Sequence, residues 1–287
     1  MVDRGAAGNF SLLTNAALYG TIHQRSVTKA LPVRKYHRTH ERDEENVTEK
    51  QASEAREWLA ANIARVRANI AQAAQKVGRS ADDVTLVAVS KTKPLELVRL
   101  AYEAGVTHFG ENRVQEALPK IAAFHPPGVS WQMIGHLQSN KAGKAAEAFD
   151  CVQSVDSLRL AQVLNRRAGE LGKRLPVLLQ VNVAEEASKE GMSVAETPAL
   201  AREIVALPHL EVLGLMTIAP LVENAEEVRP VFRGLRELRD RLRAALPTSS
   251  WSQLSMGMTD DYTVAIEEGA TIVRIGRAIF GERVHGI

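Results

Sequence analysis

The chain has a single cysteine, Cys151, among its 287 residues. That excludes an internal disulfide and any metal cluster built on cysteine. No apolar run approaches the ~20 residues that a membrane-spanning helix needs. Neither sign of charge dominates: 36 Lys+Arg stand against 34 Asp+Glu, for a net charge of +2. Such a balance points away from nucleic acid or a membrane surface as the main partner. A glycine-rich phosphate loop after the first strand, the usual mark of a nucleotide-binding open sheet, is missing too. What remains, 45% hydrophobic and 24% charged residues, is ordinary for a globular protein. A soluble, cytoplasmic protein without a metal centre is expected. Cys151 falls in a probable strand, Cys151–Val155, and reads as a small core residue.

Residues 1–50 differ from everything after them. They are basic through the first forty, end in the charged run His40–Glu45, and hold no helical or strand period. They read as a poorly ordered arm. The arm faintly resembles a transit peptide; the alternative is a true start further in, for example at Val47. Residues 51–287 read as one domain. From about Ser53, Trp58, Leu59, Ile63, Val66, Ile70, Ala73, Ala74 and Val77 recur at helical spacing, and Gly78 stops the helix. Strand patterns follow at 84–91, 107–111, 130–135, 151–155, 176–183, 210–218, 252–256 and 271–275. Helical patterns fill the gaps, at 94–104, 113–123, 139–148, 157–171, 195–206, 224–245 and 259–268. Eight strands alternating with seven helices, plus one helix ahead, predict an α/β fold of the closed (β/α)8 TIM barrel type with an extra N-terminal helix. A doubly wound open sheet is the alternative.

In such a barrel the chemistry gathers at the carboxyl ends of the strands. Lys91 ends the apolar run Val84–Ser90 and precedes Thr92-Lys93-Pro94. A desolvated amine there can lose its proton and attack an aldehyde; the plainer reading is a surface lysine. The last two strand ends carry Ser255-Met256-Gly257-Met258-Thr259 and Arg274-Ile275-Gly276-Arg277. Two glycine-bearing turns on consecutive final strands suit a phosphate, and Thr259 is a candidate helix N-cap. Asp260 and Asp261 read as first-turn complements to a helix dipole. His136 and His108 read as peripheral, with no partner acid at a telling spacing. The arginines of 229–243 read as a solvated helix face.

Five motifs, in order, resemble a known family: Ser90-Lys91-Thr92-Lys93-Pro94, Phe109-Gly110-Glu111-Asn112, Ile134-Gly135-His136-Leu137-Gln138-Ser139-Asn140-Lys141, Ser255–Asp261 and Arg274-Ile275-Gly276. From about residue 54 onward the chain is similar to the pyridoxal 5′-phosphate (PLP) homeostasis proteins. The resemblance implies a barrel of the alanine racemase N-terminal type that holds PLP as a Schiff base on Lys91, with Lys93 a neighbour. It places the phosphate among Ser255, Gly257, Met258 and the Gly276-Arg277 turn, Arg274 at the pyridine nitrogen, and Asn112 near the ring oxygen or Lys91. An arginine at that nitrogen makes the cofactor a weak electron sink. The implied function is PLP (vitamin B6) homeostasis with no catalytic residue assigned. Apo-enzymes that need PLP, or amino and keto acids, are its possible partners, and the protein is a monomer or weak dimer. Two departures stand out. Arg277 occupies a position where the family has a small hydroxyl residue, and it either supplies charge there or faces solvent. Gln132 replaces a common histidine, inside a strand where little effect is expected. The rival is an amino-acid racemase. Such enzymes take a second base, a tyrosine, from a C-terminal domain of the partner subunit, and that domain is not expected here after Ile287.

Overall fold

The structure is a computed structural model that describes residues 36–186 and 190–282, with side chains from residue 52. The chain divides into two compact units, Met1–Glu49 and Lys50–Ile287; of the first, only the helical backbone from Tyr36 is described. The expected arm up to residue 35 lies outside the described residues.

Among the described residues nine strands follow one another: β1 (Thr85–Val89), β2 (His108–Glu111), β3 (Ser130–Met133), β4 (Cys151–Val155), β5 (Leu175–Asn182), β6 (Met192–Ser193), β7 (Leu210–Met216), β8 (Gln253–Ser255) and β9 (Ile272–Ile275). Their order is β4-β3-β2-β1-β9-β8-β7-β5, and β4 pairs with β5 to close the ring. The two-residue β6 adds to β5 outside that ring. The eight ring strands are the eight expected, with ends that agree to within two residues. The ring helices are α2 (Leu95–Glu103), α3 (Val114–Ala123), α4 (Ala142–Ala148), α5 (Leu158–Glu170), α6 (Thr197–Val205), α7 (Arg229–Ala245), α8 (Tyr262–Glu267) and α9 (Arg277–Phe280). The four-residue α9 is too short to show a period and was not expected.

Helix α1 (Tyr36–Lys76) precedes the barrel. Its backbone is helical well ahead of Ser53, because Glu41–Glu45 and the residues after it are mostly good helix formers that need no apolar stripe. From Leu59 on, the expected face is buried: Leu59, Ile63, Val66, Ile70, Ala73 and Ala74. Trp58 and Val77, counted on that face, are 46% and 42% exposed. The helix ends as the sequence indicates, with Arg79 N–H to Ala74 O and Gly78 N–H to Gln75 O, the paired bonds of a glycine-terminated helix.

Most of the core lies between barrel and helices. Phe109 and Trp131 sit opposite each other on β2 and β3 with rings 5.4 Å apart, both fully buried. Cutting either to alanine costs about 3–5 kcal/mol. A second small cluster, Val87, Leu178, Met216 and Ile272, is formed by side chains of β1, β5, β7 and β9. Cys151 is buried, and burial, with the nearby Asp150 charge adding to it, pushes its thiol up to about 12. It is an inert core residue, as its place in a strand implied.

Candidate functional site

Strands β2, β1, β9 and β8 are neighbours in the ring. Their carboxyl ends therefore gather Asn112, Lys91, the Gly276-Arg277 turn and the Ser255–Met258 loop. Lys91 is half-buried in a cavity of about 260 Å³ lined also by Val89, Thr92, Lys93, Gly276 and Arg277. Lys93 is engaged elsewhere: its ammonium donates to the carbonyls of Phe280 and Glu282, each at 3.0 Å. Both lysines of the motif line this cavity, and Lys91 is the one that ends the β1 segment.

Beneath the rim runs a chain of buried polar side chains. Arg274 donates to the Ser255 hydroxyl at 2.6 Å and to the Thr217 carbonyl at 2.8 Å. Ser255 donates in turn to Gln153 Oε1 at 2.6 Å, and the Gln153 amide donates to Gln132 Oε1. Gln132 thus belongs to the chain that holds Arg274, more than its mid-strand place implied. Burial lowers the Arg274 guanidinium to about 10, against the pull of Asp261; it stays cationic at neutral pH. Ser255 is fully buried with its hydroxyl bonded on both sides.

The β8 loop is shaped by Gly257, at φ +92°. A Cβ there would lie 2.7 Å from Ala265 Cβ and 2.8 Å from Tyr262 Cα, so only glycine fits. Thr259 is not the N-cap: α8 begins at Tyr262 behind Asp261, whose carboxylate accepts the Met258 N–H at 2.6 Å. Asp261 holds the N-cap position without a side-chain bond into the helix, and neither it nor Asp260 lies in the first helical turn as expected. Its carboxylate braces the loop ahead of the helix instead. Burial lifts the Asp261 carboxyl above its usual range, opposed by the Met258 bond and the Arg274 charge. Arg277 lines the Lys91 cavity and is also paired across the loops. Its guanidinium donates to Asp260 at 2.6 Å, and both side chains are exposed, so the pair ties the β8 and β9 loops together.

Asn112 lines a neighbouring cavity of about 540 Å³ with Arg113, Met133, His136, Gln138 and Lys141; it does not share the cavity around Lys91. His136 has an acid partner after all. Its Nδ1 lies 3.1 Å from Asp156 Oδ2 and 3.7 Å from Glu190 Oε2, and no local spacing reveals partners from other strand ends. The arginines of α7 are not simply solvated. Arg229 reaches Glu226, Glu267 and Glu268 at 2.6, 2.7 and 3.2 Å, and Arg233 and Arg236 reach Glu268 at 3.0 and 2.9 Å. Sequence reasoning also missed Glu111, fully buried and paired with Lys120 of α3 at 2.8 Å.

These residues suit PLP. A half-buried amine stands beside a glycine turn, the Gly257 loop would be filled by a Cβ, and a buried arginine is held by Ser255 at the start of that loop. The profile of the family described as "Alanine racemase, N-terminal domain" matches residues 61–284. The chain is 48% identical over 229 residues to the pyridoxal phosphate homeostasis protein of Pseudomonas aeruginosa, covering 79% of this chain and 97% of that one. The structure of PipY from Synechococcus elongatus with PLP bound aligns with a TM-score of 0.69 at 39% identity, over 78% of this chain and all of that one. The alanine racemase of Clostridium difficile, 15% identical with a TM-score of 0.63, shares the fold. It aligns over 79% of this chain and 60% of its own. The chain belongs to the alanine racemase N-terminal domain family and, within it, to the pyridoxal phosphate homeostasis proteins.

Proposed function

We propose that this member of the pyridoxal phosphate homeostasis family binds PLP at the carboxyl end of its barrel, through Lys91, and stores or delivers it without strong turnover of its own. The observation that carries the reading is Lys91 itself, set at a strand end in a cavity that it shares with the Gly276 turn. When bound, PLP supplies an aldehyde that a primary amine captures with loss of water. Lys91 offers the amine. The Gly257 loop and the Gly276 turn offer backbone at close range to the phosphate, with Ser255 and Met258 shaping that loop. Asn112, after the neighbouring strand β2, lines the adjoining cavity and would meet the cofactor only from that side. Arg274 gives the ring nitrogen a cation that holds its own protons at neutral pH and does not trade them.

The engaged tyrosines favour holding over racemisation. Tyr102 packs edge-on against Phe124, and Tyr262 accepts from Asn69 at 2.9 Å; neither lines the Lys91 cavity. Among the described side chains no tyrosine stands ready as a second base. The reading carries with it a cytoplasmic location and recipients among apo-enzymes that need PLP. Among the described residues no helix is long and apolar enough to cross a membrane.

The test is spectroscopic. Adding PLP to the full chain brings up the visible absorbance of a lysine-bound cofactor, and Lys91→Ala abolishes it; unchanged binding in that variant sinks the assignment. Incubation of the loaded protein with L-alanine yields no D-alanine; steady formation of the D-isomer overturns the non-enzymatic reading.

A further inference from the structure

Behind Lys91, against helix α3, lies a polar cluster outside the contacts proposed for PLP. Ser90 and Glu111 are fully buried, and Lys120 of α3 is nearly so. Glu111 Oε1 accepts from the Ser90 hydroxyl at 2.7 Å and from the Lys120 ammonium at 2.8 Å. Glu111 Oε2 is buried without a hydrogen-bond partner. A buried ion pair of this kind loses more hydration than the charges return, and apolar side chains of similar volume serve a fold at least as well. Stability alone therefore does not account for it.

What the cluster grips is the backbone beside Lys91. The Ser90 carbonyl accepts the Lys120 ammonium at 2.8 Å and the Lys93 N–H at 3.1 Å. The turn so closed forces Thr92, a β-branched residue, to φ +63°, a left-handed conformation that persists only where its surroundings impose it. On the far flank Lys93 is fastened to the carbonyls of Phe280, Gly281 and Glu282. The Lys91 turn is thus clamped from two sides, one of them a buried charge pair.

We propose that Ser90, Glu111 and Lys120 are positioning residues that hold the strained turn so that the Lys91 amine is presented for aldehyde capture. The inference rests on the reading of Lys91 as the PLP anchor. In that step the Lys91 nitrogen bonds to the aldehyde carbon as a C=N bond, and the aldehyde oxygen leaves as water with both hydrogens of the amine. A turn free to relax moves the amine by a fraction of an ångström or more, and misplacement on that scale slows capture.

The test uses the full chain with Lys120→Met and Glu111→Gln combined, so that no charge is stranded in the core. Pyridoxine 5′-phosphate, whose alcohol cannot condense with an amine, serves as the matched probe. The double variant captures PLP about ten- to a hundredfold more slowly than wild type, while its affinity for pyridoxine 5′-phosphate and its cooperative melting are retained. Capture at the wild-type rate overturns the proposal. So does a parallel loss of pyridoxine 5′-phosphate binding, which marks general damage to the site. Should the double variant not fold, Ser90→Ala removes only the hydroxyl bond to Glu111. It slows capture severalfold, and an unchanged rate overturns the proposal. A wild-type chain that captures PLP no better than Lys91→Ala refutes the underlying reading instead.

Discussion

At the amino ends of β1 and β2, Arg67, Ile70, Val84, Thr85, Gly105 and His108 help to line a cavity of about 360 Å³. At the carboxyl ends of β1 and β9, the cavity around Lys91 holds about 260 Å³. The larger one is the poorer candidate. Its polar side chains complete the fold: Arg67 donates to the carbonyls of Ala104 and Gly105 at the end of α2. Burial lowers the pKa of His108, with Asp150 pulling the other way, so its ring stays neutral at physiological pH. Around Lys91 the buried polar groups instead hold one another, as in the Arg274–Ser255–Gln153 chain and the Glu111–Lys120 pair. Such groups are costly to bury and unnecessary to a barrel. Volume does not mark a site; polar apparatus that the fold does not need does.

That contrast can be broken from both ends. The largest effect is expected for Lys120→Met alone, which leaves the Glu111 carboxylate buried without its cation. Urea unfolding should show a loss of about 3–5 kcal/mol, largely recovered on adding Glu111→Gln. Arg67→Ala, at the amino end, should cost only about 1 kcal/mol by the same measurement. Equal losses at the two ends remove the distinction.

Two glycines form the next pair. Gly257→Ala puts a methyl against Ala265 and the Tyr262 backbone at φ +92° and should cost about 2 kcal/mol while weakening PLP binding. Gly105→Ala, at φ +85°, meets only the flexible end of Arg67 at 3.3 Å. It should cost about 1 kcal/mol and leave PLP binding alone.

Acid titration sharpens the comparison further. Hydrogen bonds from Arg229 hold the carboxyls of Glu226 and Glu267 below their usual range. Burial raises Glu268, but bonds from Arg233 and Arg229 outweigh it and the net shift is downward. A depressed folded value means stability that is present above the ordinary value of 4.5 and is lost as pH falls through the folded ones. Asp261 has the opposite sign. Its raised carboxyl contributes stability below the ordinary 3.8 that is lost as pH rises through the folded value. Melting followed from pH 6 downward should therefore fall for wild type, and Asp261→Asn should melt higher than wild type at neutral pH. The smallest effect belongs to the exposed Arg277–Asp260 pair, where Asp260→Asn should shift stability by less than about 1 kcal/mol.

Much of this was legible in the sequence where the signal is local. Apolar β-branched runs and helical spacing placed all eight ring strands and the helices α2–α8 within a few residues. The exceptions, β6 and α9, are shorter than either period. Lys91 and the glycine turns of the last two strands fall at carboxyl ends of neighbouring strands, as expected, because the strand boundaries could be read. The partnerships could not. Glu111 meets Lys120 nine residues on, His136 meets Asp156 twenty residues on, and Ser255 meets Gln153 across 102 positions. Each pair is brought together by ring closure or helix docking, and neither leaves a period in the chain. Arg277 shows the same limit: its place in a glycine turn after β9 says nothing of its pairing with Asp260.

The central claim is that the smaller, carboxyl-end cavity is the PLP site. Titrating PLP into wild type, Lys91→Ala and His108→Ala while following visible absorbance tests it directly. Wild type and His108→Ala should give equal signals, and Lys91→Ala none. Full signal in Lys91→Ala, or its loss in His108→Ala alone, would contradict it.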